Sequence, residues 1–317
     1  MKRAGLSDHI PFCLILTLVI CALWACNQDG ETSRDQDDGL DELQYFEDYE
    51  SPEAKWGFLD QTGAVVIPAR YDQVSAFSEG LAAVNLRGRW GYIDRSGRVV
   101  INFAYLAAWP FSDGLARVTQ FDGRQCFTDH TGNLVCVNEA DALYDFSGTR
   151  ARIERGGRFG YVNRAGDIVI PATFERADNF TGEVARVTMY EKEGLIDTSG
   201  IFVIEARYDR IYPPSSGFIA ARMGSNWFYL DHAGERVDDK VYVRATPFAS
   251  GRAAVQQDGS WHLIDTAMQR LTDHGYDYMR FAGSGCWVVG CADGQGLIDS
   301  SGALIAPCMY DQINNFS

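Results

Sequence analysis

Two ladders of side chains in this sequence could do chemistry. The first is Asp60, Asp94, Asp129, Asn163, Asp197, Asp231, Asp265 and Asp299, spaced 34 or 35 residues apart. Carboxylates gathered in a row would hold a cation or pass protons. Each is followed three residues on by Gly63, Gly97, Gly132, Gly166, Gly200, Gly234, then Met268, then Gly302. Asp-x-x-Gly between apolar runs is turn chemistry: the side-chain oxygen accepts from nearby backbone N–H groups and the glycine takes a positive φ. The turn reading is favoured over a metal or catalytic ladder. The second ladder is Arg117, Arg152 and Arg186, at one position of three consecutive copies. Stacked on one face, they are a candidate ligand-binding row that would clamp carboxylates or phosphates. The plainer alternative is a solvated face paired with acids such as Glu154 or Glu183.

Other reactive residues form no recognisable site. His130, His232, His262 and His274 make no i, i+4 pair and no H-E-x-x-H, and G-x-S-x-G is absent. No catalytic residue, metal site or cofactor is expected. Trp56, Trp90, Trp227 and Trp261 share a repeat position, where a core role is favoured over sugar stacking or partner anchoring. Of eight cysteines, Cys13 and Cys21 lie in the leader described next and Cys26 ends it. Five remain, and in an exported protein they are disulfide candidates. Cys126 and Cys136 flank the Asp129–Gly132 turn, nearly opposite in a short hairpin, and are the expected pair. Cys286 and Cys291 point to opposite faces of one strand; one of them reaches Cys308 in the next unit.

Residues 1–25 read as an export signal. Lys2 and Arg3 precede an apolar stretch, Ile10 to Leu23, that is short for a bilayer span. Its end, Leu23-Trp24-Ala25-Cys26, resembles the lipobox of bacterial lipoproteins, which implies lipidation of Cys26 and anchoring by acyl chains. Asn27 after the cysteine resembles the outer-membrane case in two-membrane bacteria more than the inner. Residues 26–54 follow as an acidic tether: 27–54 hold eleven acids and one Arg, a run that cannot bury a core. Within it, Leu43, Tyr45, Phe46 and Tyr49 are apolar enough to dock onto the folded part. The chain carries a net charge of −15, most of it in this tether, and the acid excess argues against nucleic acid as a partner.

These ladders are positioned by an internal repeat covering residues 55–317. Trp56-Gly57-Phe58-Leu59-Asp60 recurs as Trp90-Gly91-Tyr92-Ile93-Asp94, and further copies begin at Gln125, Phe159, Glu193, Trp227, Trp261 and Gln295. Numbered from its own first residue, each copy carries an aromatic at position sixteen in seven cases of eight and, in most, Phe at twenty-two. A period of 34 also suits helical tetratricopeptide arrays. The apolar runs are only four to six residues long, bounded by Gly or Pro and rich in Val, Ile, Tyr and Phe, so strands are expected instead. Three strands per unit are expected: Trp56–Asp60, Val65 to about Val74 with Pro68 at an edge or bulge, and Leu81–Leu86.

Trp-Gly-aromatic-aliphatic-Asp-x-x-Gly, followed by Val-Ile-Pro-x-x-Tyr-Asp and Phe-x-x-Gly-Leu-Ala-x-Val, resembles the bacterial WG (KWG) repeat family. The resemblance implies an all-β repeat protein, often exported or lipid-anchored, with no catalytic residues to carry over. The expected fold is an all-β array of eight three-stranded repeats, stacked as an open solenoid, with a closed propeller-like ring as the alternative. The expected function is a non-enzymatic, lipid-anchored envelope protein that presents its repeat surface to a protein partner. The alternatives are a cell-wall or glycan-binding module, since Ser225–Asp231 resembles the aromatic repeats of such modules, and a periplasmic enzyme with a site built across repeats.

Overall fold

A carboxylate that reaches N–H groups two and four residues ahead closes a turn without help from the rest of the chain. The Asp60 Oδ1 accepts from the N–H of Thr62 at 2.8 Å and of Ala64 at 2.9 Å. Asp94, Asp129, Asp197, Asp231, Asp265 and Asp299 repeat this pattern, and Asn163 does so with its amide oxygen. Gly63 and Gly97 take φ of 83° and 80°, and Met268 is held at 58°, where a side chain is strained. The acidic ladder is therefore a ladder of turns.

A computed structural model describes residues 44–48 and 54–315. The signal, Cys26 and the rest of the tether lie outside the described residues. Among the described residues there is no helix, and the strands form eight small antiparallel sheets of three or four strands. The chain divides into two compact units, one ending at Pro213 and one beginning at Pro214.

In the first unit, β1 (Gln44–Asp48), β2 (Lys55–Leu59) and β3 (Val65–Tyr71) make the first sheet. β1 lies inside the segment expected to be a tether; its backbone pairs with β2 from Gln44↔Leu59 to Asp48↔Lys55. The second sheet is β4 (Gln73–Val74), β5 (Leu81–Leu86), β6 (Arg89–Asp94) and β7 (Val99–Tyr105). The third is β8 (Ala107–Ser112), β9 (Leu115–Thr119), β10 (Gln125–Thr128) and β11 (Leu134–Cys136). The single strand expected from Val65 to Val74 is thus two strands in different sheets. The break is at Asp72, whose carboxylate accepts from Lys55 Nζ at 2.6 Å and from the Arg87 N–H. A sheet can therefore have four strands although a copy supplies three main ones, and each sequence copy straddles two sheets.

That straddle places the core between sheets. The ring at position three packs on the Phe at position twenty-two, with centroids 4.7–5.0 Å apart for Phe58–Phe77, Tyr92–Phe111, Phe127–Phe146 and Tyr161–Phe180. Tyr92 is on β6 and Phe111 on β8, so the pair ties the second sheet to the third. The Tyr92 hydroxyl donates to the Trp109 carbonyl at 2.8 Å, and burial pushes its pKa up. The Ser78, Ser112 and Ser147 hydroxyls donate to the carbonyls of Phe111, Phe146 and Phe180, 33 or 34 residues on. In the second unit, Tyr229–Phe248 at 5.0 Å and Ser215 to the Phe248 carbonyl reproduce both contacts.

The glycine at position two has a packing cause. The outer strand bulges against it, and a Cβ on Gly91 would lie 2.7 Å from the Ile101 carbonyl oxygen. The same conflict holds at Gly194 with Ile204. The five copies with this glycine (Gly57, Gly91, Gly160, Gly194, Gly296) all have a seven-residue outer strand. Where Phe228 or His262 takes the position, the side chain is buried there and the outer strand is reduced to isolated bridges. With Cys126 it shortens to three residues.

Candidate functional site

The three arginines of the second ladder are brought into one repeated arrangement, directed inward. Arg117, Arg152 and Arg186 donate to the carbonyls of Leu143, Ala177 and Ile211, each at position nineteen of the next copy. Arg117 also pairs with Asp145 at 2.5 Å, and Arg186 with Asp178 at 2.6 Å. Trp109 lies under the Arg117 guanidinium, and Tyr144 under that of Arg152. The Arg117 and Arg186 side chains are 19% and 17% exposed. Glu193 lies 3.7 Å from the Arg186 guanidinium as well, so the acidic partners are Asp145, Asp178 and Glu193, and not the Glu154 or Glu183 of the solvated-face alternative. The three carbonyl bonds and the Arg117–Asp145 pair hold consecutive copies together, whereas Asp178 lies in the same copy as Arg186.

The tryptophans at position one are half-buried, with Trp90 opposite Tyr105 and Trp56 opposite Tyr71. Trp287, elsewhere in the repeat, is the fully buried one. Cys126 and Cys136 are joined by a disulfide, and a second bridge joins Cys291 to Cys308. His130 stacks on Phe111 at 4.1 Å, with Glu79 3.3 Å from its Nε2. His262 is buried beside Thr272, and its pKa is lowered by burial first and by Arg270 next. Among the described residues, no three His, Cys, Asp or Glu side chains group as metal ligands.

What stands exposed is the outer strand of those sheets that have one. Positions ten and eleven expose apolar side chains: Val65, Val66, Val99, Val100, Leu134, Val203 and Leu304. A groove of about 690 Å³ runs beside β7, walled by the Gln120–Asp122 hairpin and by Thr131–Leu134. Phe121 in that hairpin is 53% exposed and was not singled out by sequence reasoning. Its signal was there: the one spacing of 35 is an extra residue between Gly114 and Gln125.

Tandem sheets joined by recurring ring pairs, turns and staples, with an apolar outer row, define an all-β repeat scaffold. The pattern described as "WG containing repeat" matches residues 56–90, 90–123, 159–192, 194–227, 228–261 and 296–317. The chain belongs to the WG-repeat family. No curated protein matches it. Among solved structures, the computationally designed Ika8 protein is similar at 14% identity, with 73% of this chain and 84% of that one covered and a TM-score of 0.38. A eukaryotic initiation factor is similar at 13%, covering 82% and 84%, with a TM-score of 0.47. The C-terminal WD40 domain of Sif2 is similar at 11%, covering 70% and 78%, with a TM-score of 0.32.

Proposed function

We propose that this chain is a non-catalytic binding protein of the cell envelope, exported and held to its membrane by a lipid on Cys26, outer membrane before inner. Its repeat array presents apolar outer strands to a protein partner. The observation that carries this reading is the exposed row at positions ten and eleven, where Val65 is 57% and Leu304 53% exposed. Apolar side chains that recur in water at a fixed repeat position are better accounted for by a contact surface than by chance. Two disulfides fit an oxidising compartment. A second reading, a cell-wall glycan, is favoured by exposed Tyr190 and by the half-buried tryptophans at position one.

One experiment separates the two. Residues 27–317 are co-sedimented with purified sacculi, and the anchored protein is cross-linked in its own envelope. A supernatant protein that cross-links to a defined envelope protein supports the first reading. Pelleting that soluble glycan competes away supports the second and overturns the first.

A further inference from the structure

Edge strands invite pairing, and proteins blunt them with proline or charge. Four of the five seven-residue outer strands are blunted in this way. β3 carries Pro68 and Arg70, Ile168–Phe174 carries Pro171, Phe202–Tyr208 carries Glu205 and Arg207, and Leu304–Tyr310 carries Pro307. β7 reads Val-Val-Ile-Asn-Phe-Ala-Tyr, with neither device. Its order in the sheet leaves it paired on one side only, with β6.

The unguarded edge is also the one that borders the groove. Val100, Asn102 and Ala104 of β7 face it, with Phe121 and Leu134 across from them. The neighbouring outer strand, β11, stops at Cys136, where the bridge to Cys126 clips it. The added residue of the array places Phe121 at the rim, with Arg89 5.2 Å over its ring. Arg124 closes on Asp122 at 2.7 Å, and the apolar side chains of Val100, Phe121 and Leu134 share the groove with the polar ones of Asn102, Gln120 and Thr131. A repeat that loses its edge protection, gains a residue and shortens its neighbour at one place has departed from its own rules there.

We propose that β7 is a docking edge for an extended segment of a partner protein that alternates apolar and uncharged polar residues, adds as a strand beside Val99–Tyr105 and sets its apolar side chains against Phe121 and Leu134. This rests on the protein-partner reading above. Backbone bonds would supply affinity, and the groove would select alternate side chains. A seven-residue strand at about 3.4 Å per residue offers roughly 24 Å, room for a heptapeptide.

The probe is a soluble heptapeptide alternating Val and Thr, with a version N-methylated at alternate residues as control, titrated against residues 27–317. Binding of the first and not the second, with amide exchange slowed along β7, is expected. Asn102→Pro is expected to weaken binding at least tenfold with no change in thermal melting, because the array already carries proline at the equivalent positions 68, 171 and 307. Phe121→Ser, on an exposed hairpin, is expected to weaken it about fivefold. No binding at millimolar peptide, protection at another strand, or an Asn102→Pro protein that binds as the parent does would each overturn the proposal. If cross-linking still captures an envelope protein while these variants leave the capture unchanged, the docking edge falls and the protein-partner reading stands.

Discussion

Arg117 donates from Nη1 to the carbonyl oxygen of Leu143 at 2.9 Å, from β9 to the first strand of the next sheet, 26 residues along the chain. Arg152 and Arg186 make the corresponding bond 25 residues on. Removing the guanidinium strands a carbonyl and the Asp145 carboxylate together. Arg117→Ala is expected to cost about 1.5–3 kcal/mol, read as a lower midpoint in urea. Equal stability of the variant and the parent would mean that the staple is dispensable.

Gly91→Ala tests why the repeat has glycine at position two. The added methyl meets the Ile101 carbonyl oxygen, and backbone cannot yield as a side-chain tip can. A loss of about 1–3 kcal/mol is expected, with faster amide exchange in β7. Gly63→Ala is the contrast: its Cβ would meet nothing within 4 Å, and the strain there comes from φ alone.

Acid should unfold the array in two stages. The His262 pKa is held below 6.5 by burial, so the unfolded chain takes a proton first and stability falls as pH drops below 6.5. His262→Phe, the residue class that Phe228 shows at the equivalent position, should remove this stage in a pH series of thermal melts.

The lower stage belongs to the turns. Hydrogen bonds from the Ser96 hydroxyl and the Arg98 N–H hold the Asp94 carboxyl below its ordinary 3.8, and Asp60 and Asp197 are lowered in the same way. A depressed folded pKa gives stability that is present above 3.8 and lost as pH falls through the folded value. Asp94→Asn keeps an acceptor oxygen, as Asn163 does, and should flatten the acid limb while leaving the melt at pH 7 near the parent's. A limb of unchanged steepness would point to other carboxylates.

The Cys126–Cys136 bridge closes a short loop, and Cys136→Ser is expected to lose about 2–3 kcal/mol. Thiol labelling of the protein folded under oxidising conditions, after denaturation without reductant, should find Cys126, Cys136, Cys291 and Cys308 blocked. Full labelling at those four would refute the two bridges.

Turn residues were legible because Asp-x-x-Gly acts within five residues and needs no tertiary partner. The repeat, the strands and the Cys126–Cys136 pairing followed from spacing for the same reason. The arginine ladder was visible as a row but not as a set of staples, because its acceptors are backbone carbonyls, which leave no mark in a sequence. The break at Asp72 was hidden inside a continuous apolar run, since periodicity cannot show that one run serves two sheets. The strand at Gln44–Asp48 falls on the apolar patch of Leu43, Tyr45, Phe46 and Tyr49 that was legible as a docking segment, although the acidic residues around it read as tether.

The offset between sequence copy and sheet bears on how such an array could change length. Each 34-residue stretch ends with strands that begin its successor's sheet and begins with strands that finish its predecessor's. Tandem gene duplication of a period that carries the ring pair and hydroxyl bond, cut at any phase, would therefore restore the same contacts across the new junction. Unequal crossing-over could then lengthen or shorten the array one whole period at a time, with the sheet at the new junction completed by strands from both sides.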